Sequence, residues 1–385
     1  MNILVINPYS AYDPSGNSFV YSPAKEFARR GHSVRVLFLS PYGKAANGWT
    51  GKFSFALDRQ TVDGVVFFRL RYLSLSHFGE KTGWNEFALH QAFRRHIAEV
   101  LDGFRPDIIY AHTLDTSALV RWLKSYTNCP AVITTHGTDL TAPFLAGAYQ
   151  SICARTQAAD AVVAVSSALQ KKLITAGVGV PTSVILNGVQ MCEIDHSAVK
   201  KPFSMIQVSD LRAQKKADIT LRAFAKLRKR YPEMSLKIIG SGEEESSLKA
   251  LAQELVLSDS VQFLGRQPNS SVLMEMSRTQ FFCMPSVREG FGVVYIEAMA
   301  AGCVTIGTQG EGIADLIQDG QNGFLVPPDD PDAIVAVIES CLKDPEGIRA
   351  ITAQAAADTK SLTWANNATQ YLNLFEQLIE KSVDL

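Results

Sequence analysis

Short, continuous apolar runs alternate with segments of helical periodicity along the whole chain. Such runs are typical of strands buried on both faces of a parallel sheet, and the helices between them cover those faces. Helical periodicity is clear at 86–101 and 148–158. The strands predicted in the first half are 3–6, 34–39, 65–70, 108–111, 131–134, 161–165 and 183–186.

The second half of the chain repeats this alternation. Its predicted strands are 203–208, 235–239, 261–264, 281–284, 304–307 and 323–326. Its predicted helices are 218–231, 243–255, 270–277, 293–301 and 313–318. We therefore predict an α/β protein with two doubly wound, Rossmann-like domains that face each other across a cleft. Ligands of such domains bind outside the carboxyl ends of the strands.

A polar stretch without periodicity, 195–202, separates the two halves. We place an N-terminal domain at 1–194 and a C-terminal domain at 195–364, since 385 residues exceed the usual length of one domain. The last helix, at about 365–385, carries an apolar stripe, and we expect it to pack back on the N-terminal domain.

Composition narrows the class of protein. Hydrophobic residues make up 46% of the chain, which is enough to build two sizeable cores. The formal net charge is −1, so we expect no nucleic-acid partner. The six cysteines form no Cys-x-x-Cys pair and lie mostly in apolar runs, which is typical of buried free thiols. Neither a signal peptide nor an apolar run of roughly 18 to 20 residues is present, and we expect a cytoplasmic protein.

The segment 286–302 combines more candidate chemistry than any other part of the sequence. It follows a predicted strand, turns at Gly290-Phe291-Gly292, and then begins a helix. Because the first N–H groups of a helix lack partners within it, they bind anions such as phosphate. Glu289 and Glu297 flank this turn on the order of 10 Å apart, at a helical rise of about 1.5 Å per residue. Two carboxylates on either side of an anion site suit a ligand with hydroxyl groups on both sides of a diphosphate.

This segment resembles the Glu-x7-Glu motif of retaining GT-B glycosyltransferases of family four, the glycosyl transferases group 1, in the string EGFGVVYIEAMAAG. Other landmarks follow in that family's order over nearly the full chain. The resemblance implies a UDP- or GDP-sugar donor. Glu289 would then contact the sugar, Glu297 the ribose and the helix start the diphosphate.

His136 lies in the string Thr-His-Gly-Thr-Asp directly after a predicted strand. This string is similar to the His-Gly motif of the family's first domain, which implies a role for His136 near the donor sugar. His112 also follows a strand end, and the sequence leaves a place in the pocket and a place in the structural core equally open.

Lys215 matches the lysine with which the family grips the diphosphate. The position of the family's arginine holds Asp210, and Lys216 stands where a glycine usually follows. We expect Arg212 or Lys216 to supply the second positive charge.

Several weaker landmarks complete the resemblance. Gly240 matches the floor of the family's nucleotide site, Arg266 the strand end beside the base, and Gly16 one of the usual paired glycines after the first strand. The turn 187–188 is interpreted as mainly structural. The segment 310–312 is expected to begin a helix that holds sugar hydroxyls or phosphate, and it favours the TuaC-like branch that acts on cell-surface polysaccharides.

The resemblance implies transfer of a sugar, with retention of anomeric configuration, to a glycan or lipid-linked acceptor bound by the first domain. We expect neither a metal ion nor another cofactor. The alternatives are a sugar-nucleotide epimerase and a non-catalytic partner subunit, which the Asp210 departure would favour. Arg94, Arg95 and His96 lie beside apolar residues, so the segment 84–101 is either a core helix or a peripheral contact with the inner face of the membrane.

Overall fold

The computed structural model describes residues 1–8, 18–42, 57–73, 83–189, 194–195 and 197–383. The chain divides into two compact units. The first comprises Met1–Val165, Leu169–Ile185 and Trp364–Leu385, and the second comprises Ser166–Ala168 and Leu186–Thr363. Each unit is a Rossmann-like α/β domain built on one sheet, which confirms the predicted fold class.

The strands of the two sheets follow the apolar runs of the sequence. They are β1 (Asn2–Asn7), β2 (Ser33–Tyr42), β3 (Asp58–Val62), β4 (Val65–Leu73), β5 (Ile108–His112), β6 (Ala131–Thr135), β7 (Ala161–Ala164), β8 (Thr182–Val184), β9 (Lys201–Val208), β10 (Ser235–Ile239), β11 (Val261–Phe263), β12 (Thr279–Cys283), β13 (Val304–Thr308) and β14 (Phe324–Val326). The central residues of the inner strands β1, β5, β6, β7, β12 and β13 are buried, as expected for strands covered on both faces, whereas those of the edge strand β3 are exposed.

The helices connect the strands. They are α1 (Ser18–Arg29), α2 (Gly83–Leu101), α3 (Ser117–Thr127), α4 (Thr138–Leu145), α5 (Tyr149–Thr156), α6 (Ser167–Thr175), α7 (Ala217–Arg230), α8 (Glu245–Glu254), α9 (Asn269–Arg278), α10 (Val293–Ala300), α11 (Pro331–Lys343), α12 (Pro345–Thr359) and α13 (Trp364–Val383). No helix among the described residues combines the length and apolar character needed to cross a membrane.

Each sheet has one point at which the strand order reverses. The first sheet has the order β3-β4-β2-β1-β5-β6-β7-β8 and is parallel except for β3, which pairs antiparallel with β4. The second sheet is parallel throughout, with the order β11-β10-β9-β12-β13-β14. The chain leaves β9 toward one side and β12 toward the other, so a crevice opens at the carboxyl ends of these two strands.

Several elements of the structure were not predicted from the sequence. The edge strand β3 was not predicted; the Asp63-Gly64 turn that joins it to β4 has positive φ at both residues, as hairpin turns require. The helices α11 and α12 were also not predicted, although Asp330-Pro331 and Asp344-Pro345 cap and begin them.

The helix predicted at 313–318 was wrong. This segment forms a single 3-10 turn, Gly312–Asp315. Directly after this turn, the side chain of Asn322 accepts a hydrogen bond from the Gln318 amide and donates one to the Leu316 carbonyl.

The last helix, α13, is part of the core of the first unit. Phe375 and Tyr371 are buried against Phe27 and Tyr110, with ring centroids 4.7–5.8 Å apart. The Tyr371 hydroxyl also forms a hydrogen bond of 2.9 Å with the Thr134 hydroxyl at the end of β6.

Candidate functional site

The glutamate pair singled out by the sequence lies on the loop that follows β12 and on the helix α10 after it. Arg288 has a φ of 62° and Gly292 a φ of 78°, so the chain makes two left-handed turns before α10 begins. Tyr295 anchors this turn from beneath: its buried hydroxyl donates to the Met284 carbonyl at 2.5 Å and lies 2.8 Å from the Ser286 hydroxyl. Burial raises the pKa of Tyr295 well above its usual value, so the hydroxyl keeps its proton.

Lys215 and Glu289 come together at the crevice. Lys215 follows β9, Glu289 follows β12, and the Lys215 ammonium donates to a carboxylate oxygen of Glu289. Their side chains are 21% and 13% exposed, so the ion pair is only partly screened by water. The two loops are also joined by the Val287 amide, which donates to the Gln214 carbonyl at 2.8 Å.

The backbone around Lys215 is held from the sheet below. The buried side chain of Gln207 donates to the Lys215 carbonyl at 3.0 Å. Lys216 has a left-handed φ of 52° and pairs with Asp329 at 2.6 Å, so its charge is engaged away from the ion pair. Arg212 and Asp210 are exposed. Of the two candidates for the second positive charge, the structure leaves Arg212 as the exposed one.

Glu297 lies on α10 and is half-buried. One of its carboxylate oxygens accepts a hydrogen bond of 3.3 Å from the side chain of Asn269, the first residue of α9. Asn269 was not among the residues predicted from the sequence. No motif marks it, because the contact joins positions 28 residues apart.

The glycines of the turn have different functions. A side chain at Gly292 would collide with the Tyr295 ring at 2.5 Å, and the Cγ of Glu289 lies 3.3 Å from the same point. Gly290 passes so close to Gly312 that a Cβ on Gly312 would lie 2.0 Å from the Gly290 carbonyl oxygen. The Phe291 side chain is buried in the core, so only its backbone is available to a ligand.

The remaining donor-site candidates of the second unit lie beside neighbouring strand ends. Gly240 follows β10, and a Cβ there would lie 1.8 Å from the Ser209 carbonyl oxygen, so close packing of two loops requires glycine. Arg266 follows β11 and is exposed. Contact of either residue with a donor stays a prediction.

The first unit holds a pair of histidines at the ends of β5 and β6. His112 is fully buried, and its Nδ1 lies 3.0 Å from the Nε2 of half-buried His136. The Phe19 ring packs against His136 with centroids 4.3 Å apart. The sequence left a place in the pocket and a place in the structural core open for His112. In the structure His112 is buried and contacts His136.

Both histidines are neutral. Burial lowers the pKa of His136 to about 3 and holds that of His112 well below its usual range. The Nε2 of His112 has no hydrogen-bond partner among the described residues. Buried N–H groups without a partner are rarer in proteins than buried acceptors without one, so we assign the proton of His112 to Nδ1, which donates to Nε2 of His136. His136 then carries its own proton on Nδ1.

Asp139 fixes the backbone of this histidine pair. Its buried carboxylate accepts hydrogen bonds of 2.9–3.1 Å from the amides of Leu114, His136 and Gly137. Asp139 had no predicted role; an aspartate in the first turn of α4 is the signal that could have pointed to it, because a negative charge is favourable beside the N–H groups there. Gly16, also predicted at this end of the sheet, lies outside the described residues.

Glu311 was also missed as a functional candidate. Its carboxylate accepts from the amides of Arg288 and Glu289, both at 2.8 Å. It therefore contacts the backbone of the glutamate loop and does not open the helix that the sequence predicted there. In the described part of the chain, no three or more His, Cys, Asp or Glu side chains are grouped so that they could hold a metal ion.

Comparison with known protein families accounts for both units. A model described as Glycosyltransferase Family 4 matches residues 16–191, and one described as Glycosyl transferases group 1 matches residues 193–358. The first half of the chain thus matches a Glycosyltransferase Family 4 domain and the second half a Glycosyl transferases group 1 domain.

Individual relatives agree with these domains. The chain is 31% identical to a D-inositol 3-phosphate glycosyltransferase of Corynebacterium urealyticum over 44% of this chain and 42% of that protein. It is 30% identical to the putative colanic acid biosynthesis glycosyltransferase WcaL of Salmonella typhimurium over 39% of each. The chain thus spans about two fifths of the length of these curated relatives.

A solved structure has the same GT-B fold over almost the whole chain. The structure of Anabaena HepE in complex with UDP-glucose has a TM-score of 0.73 and 20% sequence identity. The match covers 98% of this chain and 100% of HepE.

Proposed function

We propose that this protein transfers a hexosyl-type sugar from a UDP- or GDP-sugar to a hydroxyl of a glycan or lipid-linked acceptor. The transfer retains the anomeric configuration and serves the synthesis of a cell-surface polysaccharide. One observation carries the proposal: Lys215 and Glu289 meet at the crevice between β9 and β12, where α10 begins. The family 4 and group 1 domains support it, as does the relative named for colanic acid biosynthesis.

Lys215 and the start of α10 stabilise the leaving group. The bond between the anomeric carbon and the diphosphate oxygen breaks, and its electron pair goes to the diphosphate. The ammonium of Lys215 and the N–H groups of the first turn of α10 lie where this negative charge grows. We propose that these groups act without a metal ion, so that turnover persists in excess EDTA.

Glu289 acts on the sugar side of the same bond. Its carboxylate orients the sugar and stabilises the positive charge that develops at the anomeric carbon. The acceptor oxygen bonds to this carbon on the face that the diphosphate leaves, and the acceptor proton passes to the departing phosphate oxygen. Glu297 binds the ribose diol, while neutral His136 donates a hydrogen bond to the donor sugar.

Release of nucleotide from a panel of UDP- and GDP-sugars tests the proposal. We expect one donor to give acceptor-dependent release of nucleotide, and Glu289→Ala to lower its rate at least about 100-fold, as for loss of one transition-state contact. Conversion of a donor without any acceptor would instead indicate an epimerase. If wild type and Glu289→Ala were equally inert across donors and acceptors, the chain would be a non-catalytic partner.

The stereochemical course is a separate test. The anomeric proton coupling of the newly formed glycosidic bond, read by NMR, should match that of the donor. An inverted product would reject attack on the face that the diphosphate leaves, but it would still be consistent with glycosyl transfer.

A further inference from the structure

The carboxylate of Glu311 bridges two consecutive amides of the loop that carries Glu289. Oε1 accepts from the Arg288 amide and Oε2 accepts from the Glu289 amide, each at 2.8 Å. We propose that Glu311 is a positioning residue that holds Glu289 in its working orientation. The inference rests on the proposed function, since it assumes that Glu289 contacts the donor sugar.

The loop needs such support because of its backbone conformation. Arg288 has a φ of 62°, a left-handed conformation that is unfavourable for a residue with a side chain. Here the amides of residues 288 and 289 point to the same side and together form a small anion-binding concavity. A carboxylate in this concavity makes two charge-assisted hydrogen bonds, which favour the strained turn over its alternatives.

Glu311 is itself held by another part of the sheet. It lies after β13, and the Ala314 amide donates to its carbonyl at 3.0 Å. The next residue, Gly312, is packed against the Gly290 backbone so tightly that no Cβ fits between them. The carboxylate therefore reaches the loop from a fixed point on a separate segment of the chain, 22 residues away from Glu289.

The direction of the Glu289 side chain follows from this clamp. With its amide fixed by Glu311, its Cγ lies over Gly292 and its carboxylate meets Lys215. Glu297 lies on α10 and contacts Asn269, away from the clamp. Loss of the clamp should therefore disturb the sugar side of the site and leave the nucleotide side intact.

Glu311→Gln tests the inference with almost no change of shape. The amide keeps one acceptor oxygen, but its NH2 group faces the second backbone N–H, so one bond is lost and two donors oppose each other. We expect kcat to fall by about tenfold or more, which corresponds to one lost hydrogen bond to a charged group. The affinity for UDP, measured by calorimetry, should stay within about twofold, because no hydrogen bond on the nucleotide side is lost. Glu346→Gln, at an 88% exposed side chain on α12, is the matched control.

Amide hydrogen exchange provides a second readout that does not depend on turnover. Exchange in a peptide covering 286–292 should accelerate in Glu311→Gln and stay unchanged in Glu346→Gln. Wild-type exchange and kcat in Glu311→Gln would overturn the inference, as would an equal loss of kcat and UDP affinity. Faster exchange in Glu311→Gln, with a wild type that turns over no donor, would retain the clamp and reject the proposed function instead.

Discussion

Glu297 offers the sharpest test of how a single side chain recognises the nucleotide. Its carboxylate, already in contact with Asn269, is proposed to accept hydrogen bonds from the ribose hydroxyls. A hydrogen bond to a charged group contributes roughly 1.5–3 kcal/mol, so Glu297→Gln should raise the donor KM by about 10- to 100-fold. We expect a smaller change in kcat. Steady-state kinetics of Glu297→Gln measure both constants, with Glu254→Gln, at an exposed glutamate on α8, as the control. A change in kcat alone in Glu297→Gln would contradict the assignment.

The histidine pair predicts how stability depends on pH. Burial lowers the pKa of His112 well below 6.5, whereas the unfolded chain binds this proton near pH 6.5. The unfolded state therefore binds more protons in acid, and the free energy of unfolding falls as the pH drops below about 6.5. The slope for one such proton is about 1.4 kcal/mol per pH unit.

Urea denaturation of His112→Gln at pH 7, 6 and 5 measures this slope. The variant should lose less stability than wild type between pH 7 and 5, by about one proton's contribution. Parallel pH profiles for wild type and His112→Gln would show that His112 is not the group responsible.

At the scale of elements, the contact between the loops after β12 and β13 depends on Gly312. A Cβ at this position would lie 2.0 Å from the Gly290 carbonyl oxygen, and backbone atoms cannot move aside without shifting the Glu289 loop. Gly312→Ala should destabilise the protein by about 1–3 kcal/mol and lower turnover. Gly179→Ala, with no atom within 4 Å of its Cβ, is the control for denaturation and kinetics. Full stability and full activity of Gly312→Ala would contradict the close packing.

The helix α2 has one buried face and one exposed face. Its apolar residues Phe93 and Ile97 are buried in the protein, so they form core, whereas Arg94, Arg95 and Phe87 are exposed. We propose that this basic face contacts anionic lipid, with about 1 kcal/mol from each arginine.

Vesicle flotation tests the lipid contact. Binding to vesicles of phosphatidylcholine and phosphatidylglycerol should be lost in Arg94→Glu/Arg95→Glu and kept in Arg349→Glu, an exposed arginine on α12. Equal flotation of the three proteins, or none by the wild type, would reject the proposal.

At the scale of the whole molecule, α13 completes the core of a unit whose other elements end nearly 180 residues earlier. Phe375 is fully buried against Phe27 and Tyr110. Replacement by alanine leaves a cavity, and we expect Phe375→Ala to cost about 3–5 kcal/mol in the first unit.

The tryptophans report this unfolding selectively. The sequence of the second unit contains no tryptophan, whereas Trp122 and Trp364 lie in the first unit. Urea titration followed by tryptophan fluorescence should show a lower midpoint for Phe375→Ala than for wild type. Asn373→Ala, at an exposed position of α13, should keep the wild-type midpoint. An unchanged midpoint in Phe375→Ala would mean that α13 only covers the core.

The sequence by itself determined the type and position of most elements. Local periodicity indicates buried strands and the helices between them, so the parallel strands of both sheets could be predicted from apolar runs. The sequence also placed Glu289, Lys215 and His136 after strand ends, because motifs that follow strands lie at the carboxyl edge of a sheet whatever the details of packing. Their contact with a donor stays a prediction. The hairpin strand β3 and the capped helices α11 and α12 had local signals that the apolar pattern alone did not reveal.

Only the tertiary structure decided which side chains meet. The Lys215–Glu289 pair joins positions 74 residues apart, and the clamp of Glu311 and the contact of His112 with His136 join positions 22 and 24 residues apart. These contacts depend on strand order and on the exact course of loops between neighbouring strands. Periodicity carries no information on either, because a strand has the same apolar pattern whichever strand lies beside it.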